Sequence, residues 1–150
     1  MRTWLRPSVL FALVMSVGLL GCSSDAPRIV PANEVDQANF VLHVSNQSLA
    51  LEKVDLQIKM DGKILVDEEF HVGVGVSLAH NWKTFYLNVA DGSHQLEVVS
   101  KLGDARLKHS FEKKGKRWAV VDYWYKPAAE GSGQPKKITI GIQEEPITFL

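Results

Sequence analysis

Reactive chemistry has few places to start in this 150-residue chain. There is one thiol, Cys22, and there are five histidines, His43, His71, His80, His94 and His109. The histidines fall in separate segments with no H-x-H or H-x-x-x-H spacing, so a metal site would have to be assembled by the fold. No metal and no other cofactor is expected. Ser132 in "EGSGQ" lies between glycines but lacks the G-x-S-x-G spacing and the strand-to-helix elbow that exposes a nucleophile, and it reads as linker. The run "GVGVSL", 73–78, begins like a dinucleotide loop but has neither a third glycine nor a following helix. With no acid–base pair at workable spacing, the chain is not expected to be an enzyme. His71 and His80 flank the Gly73/Gly75 run and are candidate ligand contacts. His109 reads as a core histidine within reach of Asp122.

A second kind of chemistry, binding without reaction, is open to Trp82, Lys101, Arg106 and Tyr123 if strands bring them side by side. Aromatic faces stack on sugar rings or bases, and paired cations receive a carboxylate, sulfate or phosphate. The alternative is ordinary cation–aromatic packing over a sheet. The basic run "KKGKR", 113–117, could likewise touch phosphates or lipid headgroups, or be a solvated turn.

These side chains must be positioned by strands, because from Asn39 onward the pattern is β. Alternating runs at 39–45, 52–60, 63–72, 82–89, 94–102, 105–112, 117–126, 136–142 and 146–150 are separated by turn signals, among them Asp61-Gly62, Asp91-Gly92 and Gly103-Asp104. That many short strands predicts an all-β, two-sheet antiparallel sandwich of about eight or nine strands. A two-residue turn at Gly103-Asp104 predicts Leu102 opposite Ala105, Val98 opposite His109 and Leu96 opposite Phe111. Four-residue loops at 90–93 and 113–116 extend this to a meander with Phe85, Val98, His109 and Val120 across one row, and Leu87, Leu96, Phe111 and Trp118 across the next. The same registers set Trp82 beside Lys101, Lys101 beside Arg106 and Arg106 beside Tyr123 on the outer face. For the earlier hairpin, a three-residue loop at 61–63 pairs Met60 with Ile64, Ile58 with Val66 and Val54 with Phe70, leaving Glu68 opposite Leu56. Gly73 and Gly75 would mark a strand bend or a ligand loop.

The N-terminus has a different character. Arg2 and Arg6 precede an apolar core of twelve residues, Val9 to Leu20, too short for a bilayer span of ~20 residues but suited to an export signal. Leu19-Leu20-Gly21-Cys22 resembles the lipobox of bacterial lipoproteins. The resemblance implies a signal peptide over 1–21, acylation of Cys22 and a membrane anchor, with Ser23 directing the protein to the outer membrane, facing the periplasm, in a two-membraned cell. Residues 22–38 then form the lipidated N-terminus and a Pro-containing tether, whose 16 residues after Cys22 could reach roughly 50 Å at about 3.3 Å each. The domain occupies 39–150. Without residues 1–21, the 17 basic residues less Arg2 and Arg6 leave 15 against 17 acidic ones, a balance of −2 that argues against nucleic acid.

"ADGSHQLEVVS", 90–100, resembles the hairpin start of transthyretin-like and immunoglobulin-like sandwiches in envelope lipoproteins. Such folds host many functions. Two are expected here: a binding module for an envelope glycan or other acidic ligand, or an assembly subunit docking onto a larger envelope protein complex.

Overall fold

The computed structural model describes residues 26–73, 82–128 and 132–148; the expected signal over 1–21, Cys22, Gly75 and His80 lie outside the described residues. Among the described residues nine strands form two packed sheets: β1 (Arg28–Ile29), β2 (Phe40–Asn46), β3 (Lys53–Met60), β4 (Lys63–His71), β5 (Lys83–Asn88), β6 (Gly92–Ser100), β7 (Ala105–Lys113), β8 (Arg117–Lys126) and β9 (Gln134–Gln143). One sheet runs β1-β5-β2-β8-β9 and the other β4-β3-β6-β7. The all-β sandwich is as expected, with one parallel pairing, β2 with β8, among antiparallel ones. Residues 146–148 form no strand.

Alternation supplies the core. In β3, Val54, Leu56, Ile58 and Met60 are wholly buried, while the residues between them are half-buried or exposed. They meet Phe40, Leu42 and Val44 of β2, Leu87 of β5 and Ala119, Val121 and Tyr123 of β8. β2 is buried along almost its whole length because it lies in the middle of the larger sheet.

The β3–β4 hairpin contains both of the turns its sequence could make. Val54, Leu56 and Ile58 oppose Phe70, Glu68 and Val66 as the three-residue loop predicts. Beyond Ile58 the register shifts, so that Lys59 opposes Ile64 and Met60 opposes Lys63 across a two-residue Asp61-Gly62 turn. Asp61 (φ 52°) and Gly62 (φ 81°) both have positive φ, as a type I′ turn requires. Leu65 is the extra residue of the bulge, which lets Leu65 and Val66 both be buried and leaves Ile64 exposed. A Cβ at residue 62 would meet nothing within 4 Å, so Gly62→Ala is expected to cost about 1 kcal/mol through backbone conformation alone. A urea midpoint that does not move would refute this.

The expected four-stranded meander does not form. β5 hydrogen-bonds to β1 and β2, and β8 lies between β2 and β9. Of its three turns only the β6–β7 hairpin survives, with a register two residues away: Ser100 opposes Ala105, Val98 opposes Leu107 and Leu96 opposes His109. A shift of two preserves the faces, so Leu96 and Val98 still point inward. β8, by contrast, is turned over. Ala119, Val121 and Tyr123 face the core, while Trp118, Val120, Asp122 and Trp124 face outward.

The expected tether is also partly folded. Arg28 and Ile29 pair with Asn88 and Leu87, and the Val30 N–H donates to the Tyr86 carbonyl at 2.8 Å. Pro27, Val30 and Ala38 are buried, and a short 3-10 helix spans Ala32–Gln37. Residues from Pro27 to Ala38 therefore belong to the folded domain.

Candidate binding site

The four residues expected to form one row are dispersed. Tyr123 is wholly buried, and its hydroxyl donates to the Gly103 carbonyl at 2.9 Å. Burial pushes its pKa up, so the hydroxyl stays a donor. Lys101 is in the exposed β6–β7 turn. Arg106 lies on the outer side of β7, opposite Val99 and paired with Glu97 at 2.9 Å. Trp82 is half-buried and leads into β5 of the other sheet. They part because β5 and β8 belong to the sheet opposite β6 and β7. His71 is exposed at the end of β4 and opposite Lys53; His80 is outside the described residues. His109 stacks on Phe111 at 6.4 Å, far from Asp122 on the other sheet's outer face.

Aromatic, acidic and basic chemistry instead converges where β8 ends. Asp122 faces outward and Ser45 is directly beside it on β2; the Ser45 hydroxyl donates to Asp122 Oδ1 at 2.7 Å. Gln47 Nε2 donates to Ser45 Oγ at 2.8 Å, completing a short relay. Burial pushes the Asp122 carboxyl up from its ordinary 3.8 to about 6, against the lowering effect of the Ser45 hydrogen bond. Its second oxygen accepts no hydrogen bond among the described residues. Thr139 of β9 flanks it on the other side.

One step further along, the β8–β9 register shifts between Trp124 and Lys126, leaving Tyr125 as a bulge. Strict alternation would send Trp124 and Tyr125 to opposite faces. The bulge re-aims the chain so that both line one pocket with Gln47, Leu49, Lys126 and Gln134. Its volume is about 150 Å³, a fraction of the several hundred of a complete small-molecule site, so it suits one ring of a longer ligand. Lys136 Nζ lies 5.7 Å from the Tyr125 ring centroid. Aromatic walls, two amines and a neighbouring carboxyl with a free oxygen can stack on a ring, hold an anionic substituent and accept a hydroxyl proton.

A larger cleft of about 480 Å³ at the opposite end contains Asp61, Ser93, His94 and Glu112. Its histidine is spoken for: Nδ1 lies 2.6 Å from Asp61 Oδ2 and Nε2 lies 2.9 Å from the Ala90 carbonyl. Asp61 also accepts the Gln95 N–H at 2.9 Å, and the Ser93 hydroxyl donates to Glu112. These groups latch the β3–β4 turn to β6 and leave no ring nitrogen directed at the cleft. Burial lowers the pKa of His43, whose Nδ1 lies 2.9 Å from Thr84 Oγ1. Among the described residues no three His, Cys, Asp or Glu side chains gather as metal ligands.

Trp124, Gln47 and Ser45 were not picked out by sequence reasoning, and Asp122 was named only as a residue within reach of His109. A signal existed in β8 itself. Trp118, Val120, Asp122 and Trp124 share one face with a carboxylate in its middle, whereas the other face has only Arg117, at the strand's first position, besides the uncharged Ala119, Val121 and Tyr123. The face with no charge in its middle is the one a core accepts. Gln47 and the Tyr125 bulge had no such signal. Comparison with protein-family models and with curated proteins finds no match for this chain.

Proposed function

We propose that this protein is a lipid-anchored binding module of the bacterial envelope, non-catalytic, which takes an acidic glycan on its Trp124 pocket. The observation that carries this reading is the single pocket in which Trp124 and Tyr125 stand beside Lys126, with the open oxygen of Asp122 one residue pair away. Trp124 and Tyr125 offer stacking surfaces, Lys126 and Lys136 meet a carboxylate or sulfate, and Asp122 and Gln47 meet hydroxyls. The anchor is supported by the run Leu19-Leu20-Gly21-Cys22 after an apolar segment.

Uronate-containing oligosaccharides are the probe. Titration is expected to show saturable, salt-sensitive binding that weakens roughly tenfold in Trp124→Ala, the value of losing one stacked ring. The variant should keep the parent urea midpoint, because Trp124 is only half-buried. No saturable binding, or equal binding by the variant, would rule the glycan site out. A second reading, docking onto an envelope protein, is favoured by two exposed side chains at this same end: Leu49 is 57% and Leu102 54% exposed. A photo-crosslinker at position 49 would then capture one discrete protein, and glycan-mass adducts would exclude that reading.

A further inference from the structure

We infer that the sandwich stands end-on at the membrane, with its β5–β6, β3–β4 and β7–β8 connections against the lipid headgroups and the Trp124 pocket directed away. This rests on the reading of Cys22 as the acylated residue. The argument begins with chain length. Ser23, Ser24, Asp25 and Ala26 alone separate Cys22 from Pro27, which is buried in the domain. Five backbone steps reach about 18 Å at full extension, far less than a tether running to residue 38 would allow.

The point of attachment selects the end. Arg28 pairs with Asn88, so the chain joins the domain where β5 finishes and β2 begins. The other connections at this end are tied together by hydrogen bonds. Asn39 Nδ2 donates to the Val89 carbonyl at 3.0 Å, and the Arg117 N–H donates to the Asn39 carbonyl at 3.1 Å. Lys113 Nζ and the Gly115 N–H donate to Asp91 at 2.7 and 3.1 Å, and the Asp61–His94 latch brings in the β3–β4 turn. β8 starts here and runs away from it, so Trp124 lies about 23 Å further from the attachment point, at ~3.3 Å per residue.

Exposed cations and carboxylates both stand at the attached end. Asp61, Asp91 and Glu144 lie beside His94, Lys113 and Arg117, the Ser93 hydroxyl donates to Glu112, and exposed Asp36 and Glu145 have no ion pair among the described residues. Lys63 and Lys114 are exposed and have no ion-pair partner among the described residues, and exposed Lys116 lies over the Trp118 ring. Once the link holds this end at the leaflet, these three lysines lie within a Debye length of its phosphates. The acyl chains confine the domain near the surface, and the short link from Cys22 to the buried Pro27 decides which end faces it.

Depth measurements on the full-length acylated protein test this. A fluorophore is attached through Lys114→Cys or, separately, Leu102→Cys, in vesicles of phosphatidylethanolamine with a minority of phosphatidylglycerol and a paramagnetic headgroup lipid. Cys22 is the only native cysteine, so a maleimide mass shift in the parent chain shows whether its thiol is blocked. With that thiol blocked, the label at 114 should be quenched severalfold more than the label at 102. Equal quenching, or stronger quenching at 102, would overturn the orientation while the anchor stands. A maleimide-reactive Cys22 would overturn the anchor, and the orientation with it.

Discussion

Replacing Gly103 by alanine is expected to lower the stability of the domain by about 2–3 kcal/mol, the range of an overpacked core position. A Cβ on residue 103 would lie 2.5 Å from Ser100 Oγ and 2.5 Å from Cε2 of Tyr123, with Cζ at 2.9 Å. Neither neighbour can step aside cheaply. Ser100 Oγ accepts the Gly103 N–H at 2.8 Å and donates to Asp55 Oδ1 at 2.9 Å. The Tyr123 ring is wholly buried and its hydroxyl is bonded to the Gly103 carbonyl. Asp55 ties the same turn to β3 by accepting the N–H groups of Leu102 and Lys101 at 2.7 and 3.2 Å. Burial works against its charge, but these hydrogen bonds outweigh burial and hold its pKa below the usual value. The measurement is the urea midpoint at unchanged m-value. A loss under 0.5 kcal/mol, the size of an ordinary surface substitution, would show that the turn relaxes freely.

That turn also shows what the sequence could and could not convey. Gly103-Asp104 looks like a two-residue hairpin turn, but the capping carboxylate, Asp55, lies 45 residues from Ser100 in the chain, and its contacts widen the turn to residues 101–104. Inward and outward faces of β3, β5 and β6 were legible because they depend only on alternation. Which strands pair was not. The loops after β5 and β7 are as short as hairpin loops, yet they cross from one sheet to the other, and local turn chemistry does not tell the two apart. The expected binding row inherited that error, because each of its four residues lay on a different candidate strand or turn. The β3–β4 hairpin failed less, since its bulge and its turn are both encoded within twenty residues. For the site, the face of β8 was readable from the position of Asp122, while the pocket depends on the long-range approach of Gln47 and on the Tyr125 bulge.

Asp122→Asn is expected to make the protein more stable at pH 7.5 and worse at binding. An aspartate whose pKa rises from 3.8 unfolded to about 6 folded takes up its proton more readily in the folded state. Between those values the folded protein therefore binds more protons than the unfolded chain, and stability falls as pH rises from about 4 to about 6, with the loss complete above that. At 1.36 kcal/mol per pH unit, and reduced for the solvent that reaches this half-buried group, the ionised carboxylate costs about 2 kcal/mol near neutral pH. Asparagine has no charge to bury and still offers an oxygen to the Ser45 hydroxyl, so that cost should disappear at pH 7.5. Below pH 4 the aspartic acid is itself neutral, and the two proteins should unfold at nearly the same urea concentration. Such a residue is retained at a loss to the fold, as carboxylates at working sites often are. On the proposed reading its use is to accept a hydroxyl proton from the ring stacked on Trp124, and the uronate titration should weaken in the asparagine variant as stability rises. A variant that loses stability at pH 7.5, or differs equally at pH 4 and pH 7.5, would mean that the carboxylate serves the fold and leave the pocket without its acid.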